Sequence, residues 1–258
     1  MKRVLWLLML AGVCNGQAQV ATGQLLESDQ IRYENMPKLT LPVGHGLKSL
    51  PGWKDNTRND YFPQVFMQTG WSCNQASSVG YVFTYEMNAR RRVSSADPQN
   101  QYQPLGVFNM LNYGRDEVGV SYFDSWDLIR ANGVPNVVDF GQQYNTITKW
   151  MTGYDKYYKA MKNRVGEVFA IDVGSPEGLL TLKHWINDHM DGSPVGGLAN
   201  FQIGSGRMQI PVIPEGLEEE GQHIVIRFDP EVGHAMTFVG WNDLVKYDVN
   251  YDGQYTND

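Results

Sequence analysis

Apolar side chains at Ala76, Val79, Phe83 and Met87 recur at the three-and-four spacing of one helix face and predict a helix over residues 72–92. Ser72 stands where an N-cap belongs, and Arg90, Arg91 and Arg92 lie at the negative end of the helix dipole. Cys73 therefore falls in the first turn. A second helix is predicted over 125–131, stopped at Asn132-Gly133 and kept from resuming by Pro135. Residues 168–173 read as a strand. Ser175-Pro176-Glu177 then opens another helix with a cap, a first-turn proline and an acid at the positive end. Leu179, Leu182, Ile186 and Met190 give that helix an apolar face, and Asp191-Gly192 ends it. Beyond it the pattern changes to short apolar runs at 195–199, 208–213, 223–228 and 235–241, divided by Gly and Pro clusters, so the second half is mainly β. Gly204-Ser205-Gly206 reads as a turn, because it lacks the lysine and following helix of a phosphate loop. Residues 19–50 carry Pro37, Pro42, Gly44 and Gly46 without a sustained period and read as an extended segment crossing the surface.

The start of the chain changes the compartment. Lys2 and Arg3 precede an apolar run over 4–13, and Gly16-Gln17-Ala18 places small residues where a signal peptidase cuts, so residues 1–18 read as a signal peptide. The protein is expected to be exported, to a secreted, periplasmic or cell-surface location. The run is too short for a membrane span, and no later stretch reaches the necessary length. Residues 10–14 approach a lipoprotein signal, but Val13 occupies the place of a small residue before Cys14, which argues against a lipid anchor. Loss of Lys2 and Arg3 with the leader takes the formal charge from -7 to -9, and an acidic chain is a poor partner for nucleic acid. Of the two cysteines, Cys14 leaves with the leader, so the mature chain cannot form an internal disulfide.

Cys73 is then a buried inert thiol or one kept for chemistry, and its surroundings decide. Two islands stand out, residues 68–77, reading Gln-Thr-Gly-Trp-Ser-Cys-Asn-Gln-Ala-Ser, and residues 233–241, reading Gly-His-Ala-Met-Thr-Phe-Val-Gly-Trp. A thiol at a helix N-terminus meets unpaired backbone N–H groups that favour the thiolate, and the imidazole of His234 can take its proton. Gln68 can offer its side-chain amide, beside the Cys73 N–H, to an oxyanion formed by attack on a carbonyl.

These islands resemble the papain family of cysteine peptidases, in which Gln precedes a Gly-x-Ser-Cys helix start and a His-Ala-x-x-x-Val-Gly-aromatic strand supplies the base. The resemblance runs over 51–241, including the helix and Asn-Gly turn near Trp126 and the helix leading to Gly192-Ser193-Pro194-Val195. It implies an α+β, two-subdomain fold, with a helical subdomain carrying Cys73, a β-rich one carrying His234 and the cleft between them. It also implies peptide-bond hydrolysis of a peptide or protein substrate, with no cofactor required. The chain departs from the pattern in four ways. Asn74 replaces the usual Trp, and the family's disulfide cysteine shortly before the nucleophile is absent, with Gly70 and Trp71 in its neighbourhood. The Gln68 to Cys73 spacing is one residue shorter, and the Asn-Ser-Trp-Gly segment whose Asn orients the histidine is expected past Asp258. Other Cys-His hydrolases, such as bacteriocin-processing peptidases and cell-wall amidases, share the Gln-Cys-Ala-Ser and Gly-His patterns. A catalytically silent binding or adhesion module on the same fold is the alternative from another class.

Residues 242–258 follow the spacing of a calcium loop, with oxygens from Asp248, Asn250 and Asp252, Gly253 at the sharp turn and the Gln254 carbonyl next. The acid of the twelfth position would follow Asp258, so the chain reads as the N-terminal part of a longer protein with an insertion beginning here. His184 and His189, five apart, share no helix face and read as surface or satisfied core histidines; His45 and His223 have no ligand partners at spacing. Glu218-Glu219-Glu220 reads as a solvated loop, and Trp150, Tyr154, Tyr157 and Tyr158 as packing between subdomains.

Overall fold

The computed structural model describes residues 27–44, 49–115, 117–141 and 149–256. The leader, the Cys14 position and His45 lie outside the described residues.

Helix α1, Glu27–Asn35, falls inside the segment read as extended. Its sequence is almost wholly polar, so periodicity could not announce it. Arg32 holds it to the molecule, donating to Asp124 Oδ1 at 2.7 Å and to Asp127, with its guanidinium 4.9 Å from the Phe123 ring centre. Past α1 the chain is extended, and Lys38 forms a parallel bridge with Ala170. That single bridge is all that the predicted 168–173 strand becomes.

Strand β1, Trp53–Asp55, pairs antiparallel with β4, Gly240–Asn242. The predicted 72–92 helix is present in three contiguous pieces: α2, Cys73–Gln75; a π-wound segment, Ala76–Phe83; and α3, Thr84–Arg91. The three-and-four spacing of the apolar positions does not announce the π winding. Hydroxyls there take backbone carbonyls: Ser78 Oγ donates to Asn74 O at 2.6 Å and Thr84 Oγ1 to Val79 O at 3.0 Å, competing with the regular ladder. Nor does Ser72 cap the helix through its side chain; its Oγ donates backwards to Thr69 O at 2.7 Å.

Helix α4, Leu105–Leu111, and α5, Tyr122–Asn132, pack against this central helix. The start of α5 is fixed by Ser121, whose side chain accepts from Phe123 N, and its end by Gly133 at φ 72°. A Cβ on Gly133 would lie 2.0 Å from the Ala160 carbonyl oxygen, so only glycine lets the end of α5 meet α7, Tyr154–Ala160. The short α6, Val137–Phe140, lies between them in sequence. Helix α8, Pro176–Asp188, begins as predicted, with the Ser175 side chain accepting from Gly178 N, and ends at His189 in the left-handed region.

Strands β2, Ala199–Gln209, and β3, Arg227–Phe238, form the second antiparallel pair. Residues 195–198 precede β2 rather than belonging to it, and Gly204-Ser205-Gly206 lies within β2 instead of making a turn. Its glycines mark a register shift: Ile203 faces His234 while Gly204 faces Asp229. One apolar cluster joins Cys73, Val79 and Phe83 of the central helix to Tyr122, Trp126 and Ala235, so the core runs from the helices into β3 at the level of the two sequence islands. Among the described residues no helix is long and apolar enough to cross a membrane.

Candidate active site

Cys73 opens α2 and is 6% exposed. Its thiol is turned toward backbone amides: those of Cys73 and Asn74 at the helix start and that of Ala235 on β3. Burial pushes the thiol above its ordinary range, and these three donors pull it back without cancelling the rise. The Ala235 contact sets β3 against the helix start immediately after His234. Burial holds the His234 imidazole below its ordinary value. Either charge alone is therefore disfavoured here, whereas a thiolate facing an imidazolium would offset both costs.

Gln68 lies in the turn leading to the helix. Its Nε2 donates to Gly70 O at 3.1 Å, across a glycine at φ 53°. Ser72 N closes the same turn on Thr69 O at 3.3 Å. An amide nitrogen carries two hydrogens, and the Gly70 carbonyl takes one.

Several side chains besides the three candidates fix this arrangement. Asn74 Nδ2 donates to Val120 O at 2.6 Å, and Gln75 Nε2 to the same carbonyl at 3.2 Å and to Ser125 Oγ at 2.8 Å. Ser77 Oγ donates to Met236 O at 2.7 Å and lies 2.9 Å from Thr237 Oγ1, joining the π segment to β3. Tyr122, buried beside Cys73, donates to Phe201 O at 3.2 Å; burial raises its hydroxyl pKa, so it stays a neutral donor. Asn74, Gln75 and Ser77 lie in the 68–77 island, but no local pattern announces what they or Tyr122 hold, because each bridges segments far apart in the chain.

Elsewhere, Asp248, Asn250 and Asp252 turn their oxygens onto their own loop: Gly253 N donates to Asp248 Oδ2 at 2.8 Å, and Asp252 N to Asn250 Oδ1 at 3.0 Å. Gln254 N donates to Asp252 Oδ1 at 2.7 Å. Among the described residues no three His, Cys, Asp or Glu side chains are gathered to hold a metal. The acidic run is more than a solvated loop, since Glu218 and Glu219 accept from Asn242 Nδ2 of β4 at 3.3 and 3.2 Å. Of the aromatic cluster only Tyr157 turns inward, donating to Met151 O at 2.6 Å; Trp150, Tyr154 and Tyr158 are exposed and pack no subdomains together. His184 is buried within α8, and His223 makes one bridge with Val212.

No protein-family model matches the chain, and no curated protein matches it. Solved structures do. Xylellain, a cysteine protease from Xylella fastidiosa, matches with a TM-score of 0.56 over 90% of this chain and 83% of that one, at 14% identity. The fold is papain-like. Digestive procathepsin L 3 of the Tenebrio molitor larval midgut is also similar, with a TM-score of 0.46 over 86% of this chain and 69% of that one, at 9% identity. In this papain-like fold, Cys73 stands at the start of the central helix and His234 on the strand packed against it.

Proposed function

We propose that the protein is an exported cysteine peptidase. The observation that carries this reading is the Cys73 thiol at a helix start, within reach of the backbone amide of Ala235, the residue after His234 on β3, in a papain-like fold. In the proposed cycle His234 takes the thiol proton and Cys73 Sγ attacks the scissile carbonyl. The oxyanion is held by the Cys73 N–H and the Gln68 amide. The tetrahedral intermediate then collapses, His234 passes the proton to the leaving amine, and a thioester remains. Water adds to the thioester with His234 as base, releasing the acid and restoring the thiol. The 248–254 loop is proposed to bind Ca²⁺ through Asp248, Asn250, Asp252 and the Gln254 carbonyl, a structural role outside the cycle.

The deciding experiment is labelling of the protein with an epoxide inhibitor selective for papain-like thiolates, followed by peptide mapping. Modification at Cys73 that is lost in His234→Ala is the expected result. A folded protein that takes no label overturns the peptidase reading and leaves the silent binding module, which the neutral resting preferences of Cys73 and His234 would favour.

A further inference from the structure

The four residues Val195, Gly196, Gly197 and Leu198 have every carbonyl taken by a different side chain. Val195 O lies 2.7 Å from His189 Nδ1, and Gly196 O accepts from the Tyr85 hydroxyl at 2.8 Å. Gly197 O accepts from Asn56 Nδ2 at 3.0 Å, and Leu198 O from Trp185 Nε1 at 2.9 Å. Three amides are also engaged, Val195 N on Ser193 Oγ at 3.3 Å, and Gly197 N on Trp185 O and Leu198 N on Glu86 Oε1, both at 2.8 Å. The closeness requires the two glycines: a Cβ at 196 would meet Ile186 O at 1.6 Å, and one at 197 the Trp185 ring at 2.4 Å. Side chains thus do here what a neighbouring strand does in a sheet.

Within this cradle His189 holds a distinct position. Its Nδ1 faces the Val195 carbonyl, and its Nε2 lies 2.8 Å from the second oxygen of Glu86. Both ring nitrogens face acceptors. A neutral imidazole has one N–H and leaves one of these contacts without a hydrogen, whereas the imidazolium makes both. The residue is held there at φ 54°, followed by Met190 at φ 61°, a left-handed pair that ordinary side chains avoid. The charged groups facing the ring are Glu86 from α3 and Asp191 from its own turn, and Trp185 meets it edge-on with centroids 4.8 Å apart.

We infer that His189 and Glu86 form a proton-gated latch on residues 195–198, closed when His189 carries its second proton and loosened when it loses it. Burial alone would lower the His189 pKa, but the Glu86 hydrogen bond and charge, the Val195 carbonyl and Asp191 outweigh it and hold the pKa above its ordinary value. With the folded value above the unfolded one of about 6.5, the latch contributes fully below about pH 6.5 and is lost as pH rises through the folded value. The gated segment runs straight into β2, whose Ile203 pairs with His234, while Glu86 sits on the helix that begins at Cys73. The latch ties those two elements together at low pH. It stands whether or not Cys73 is catalytic.

The test is hydrogen exchange at the Gly197 and Leu198 amides from about pH 5 to about pH 9, corrected for intrinsic rates, beside an NMR titration of the His189 ring. The wild type is expected to titrate above about pH 6.5 and to lose protection at both amides by about tenfold or more across that midpoint. His189→Gln should show no such step, and Glu86→Gln should lower the His189 midpoint. A ring titrating at or below the ordinary value, or a step that survives in His189→Gln, overturns the latch. If neither variant folds, the wild-type ring midpoint must still coincide with the step, and a mismatch overturns it equally.

Discussion

Asn74 accepts a hydrogen bond from Gln202 Nε2 at 3.1 Å, so the residue after Cys73 is fastened directly to the strand that pairs with His234. Its own amide goes to Val120 O, a carbonyl also served by Gln75. Loss of Asn74 therefore leaves Val120 partnered but strands Gln202. Asn74→Ala is expected to cost about 1–2 kcal/mol, and Gln202→Ala less, with a coupling of about 1 kcal/mol between them. Urea unfolding of the two single variants and the double variant checks this; additive losses would show that the bridge contributes nothing of its own.

The opposed effects of burial on Cys73 and His234 give a pH signature. Without an imidazole to take its proton, the buried thiol titrates above the ordinary value of about 8.5. In His234→Ala, alkylation of Cys73 by a neutral haloacetamide at neutral pH should slow by about tenfold or more and recover only in alkali. An unchanged rate-against-pH curve would remove His234 as the base.

Gly133 joins two requirements, a left-handed backbone and contact with the Ala160 carbonyl. Gly133→Ala is expected to destabilise by about 2–4 kcal/mol, read as a lower urea midpoint with unchanged slope. A loss under about 0.5 kcal/mol would mean that α5 and α7 separate at no cost there.

Arg32 anchors α1 to α5 through partly exposed ion pairs with Asp124 and Asp127. Arg32→Ala should cost no more than about 1 kcal/mol, a loss that shrinks in high salt. It should also speed proteolytic cutting over residues 36–44, which follow the helix. Equal cutting of variant and wild type would show that the 38–170 bridge alone holds the segment.

The parts of the fold that were legible in the sequence are those whose signals are local. Ser175 and Pro176 start α8 within three residues of one another, and Asn132-Gly133 ends α5 where it stands. Where distant partners decide, the sequence misleads. Polar α1 is helical against the carboxylates of α5, some ninety positions on, and Gly204 to Gly206 extend because β3 lies alongside. The candidate site divides in the same way. Cys73, His234 and Gln68 stand in recognisable islands; Asn74 and Ser77 share the first of these, yet they and Tyr122 take their roles from residues of β2 and β3 that no spacing rule connects to them.

The π-wound segment Ala76–Phe83 has a consequence for rotational phase. It stands between Cys73 and Glu86 on one continuous helix, and i to i+5 closure takes more residues per turn than an α-helix does. The angular offset between thiol and carboxylate is therefore set by the winding of this stretch as much as by the number of residues. Deleting one residue there would return the turns to α spacing, yet in a regular helix each position is worth about 100°. The helix works as a keyed shaft: Cys73 is turned to β3 and Glu86 to His189 together, and a sequence that shortened the stretch could keep one alignment only by giving up the other.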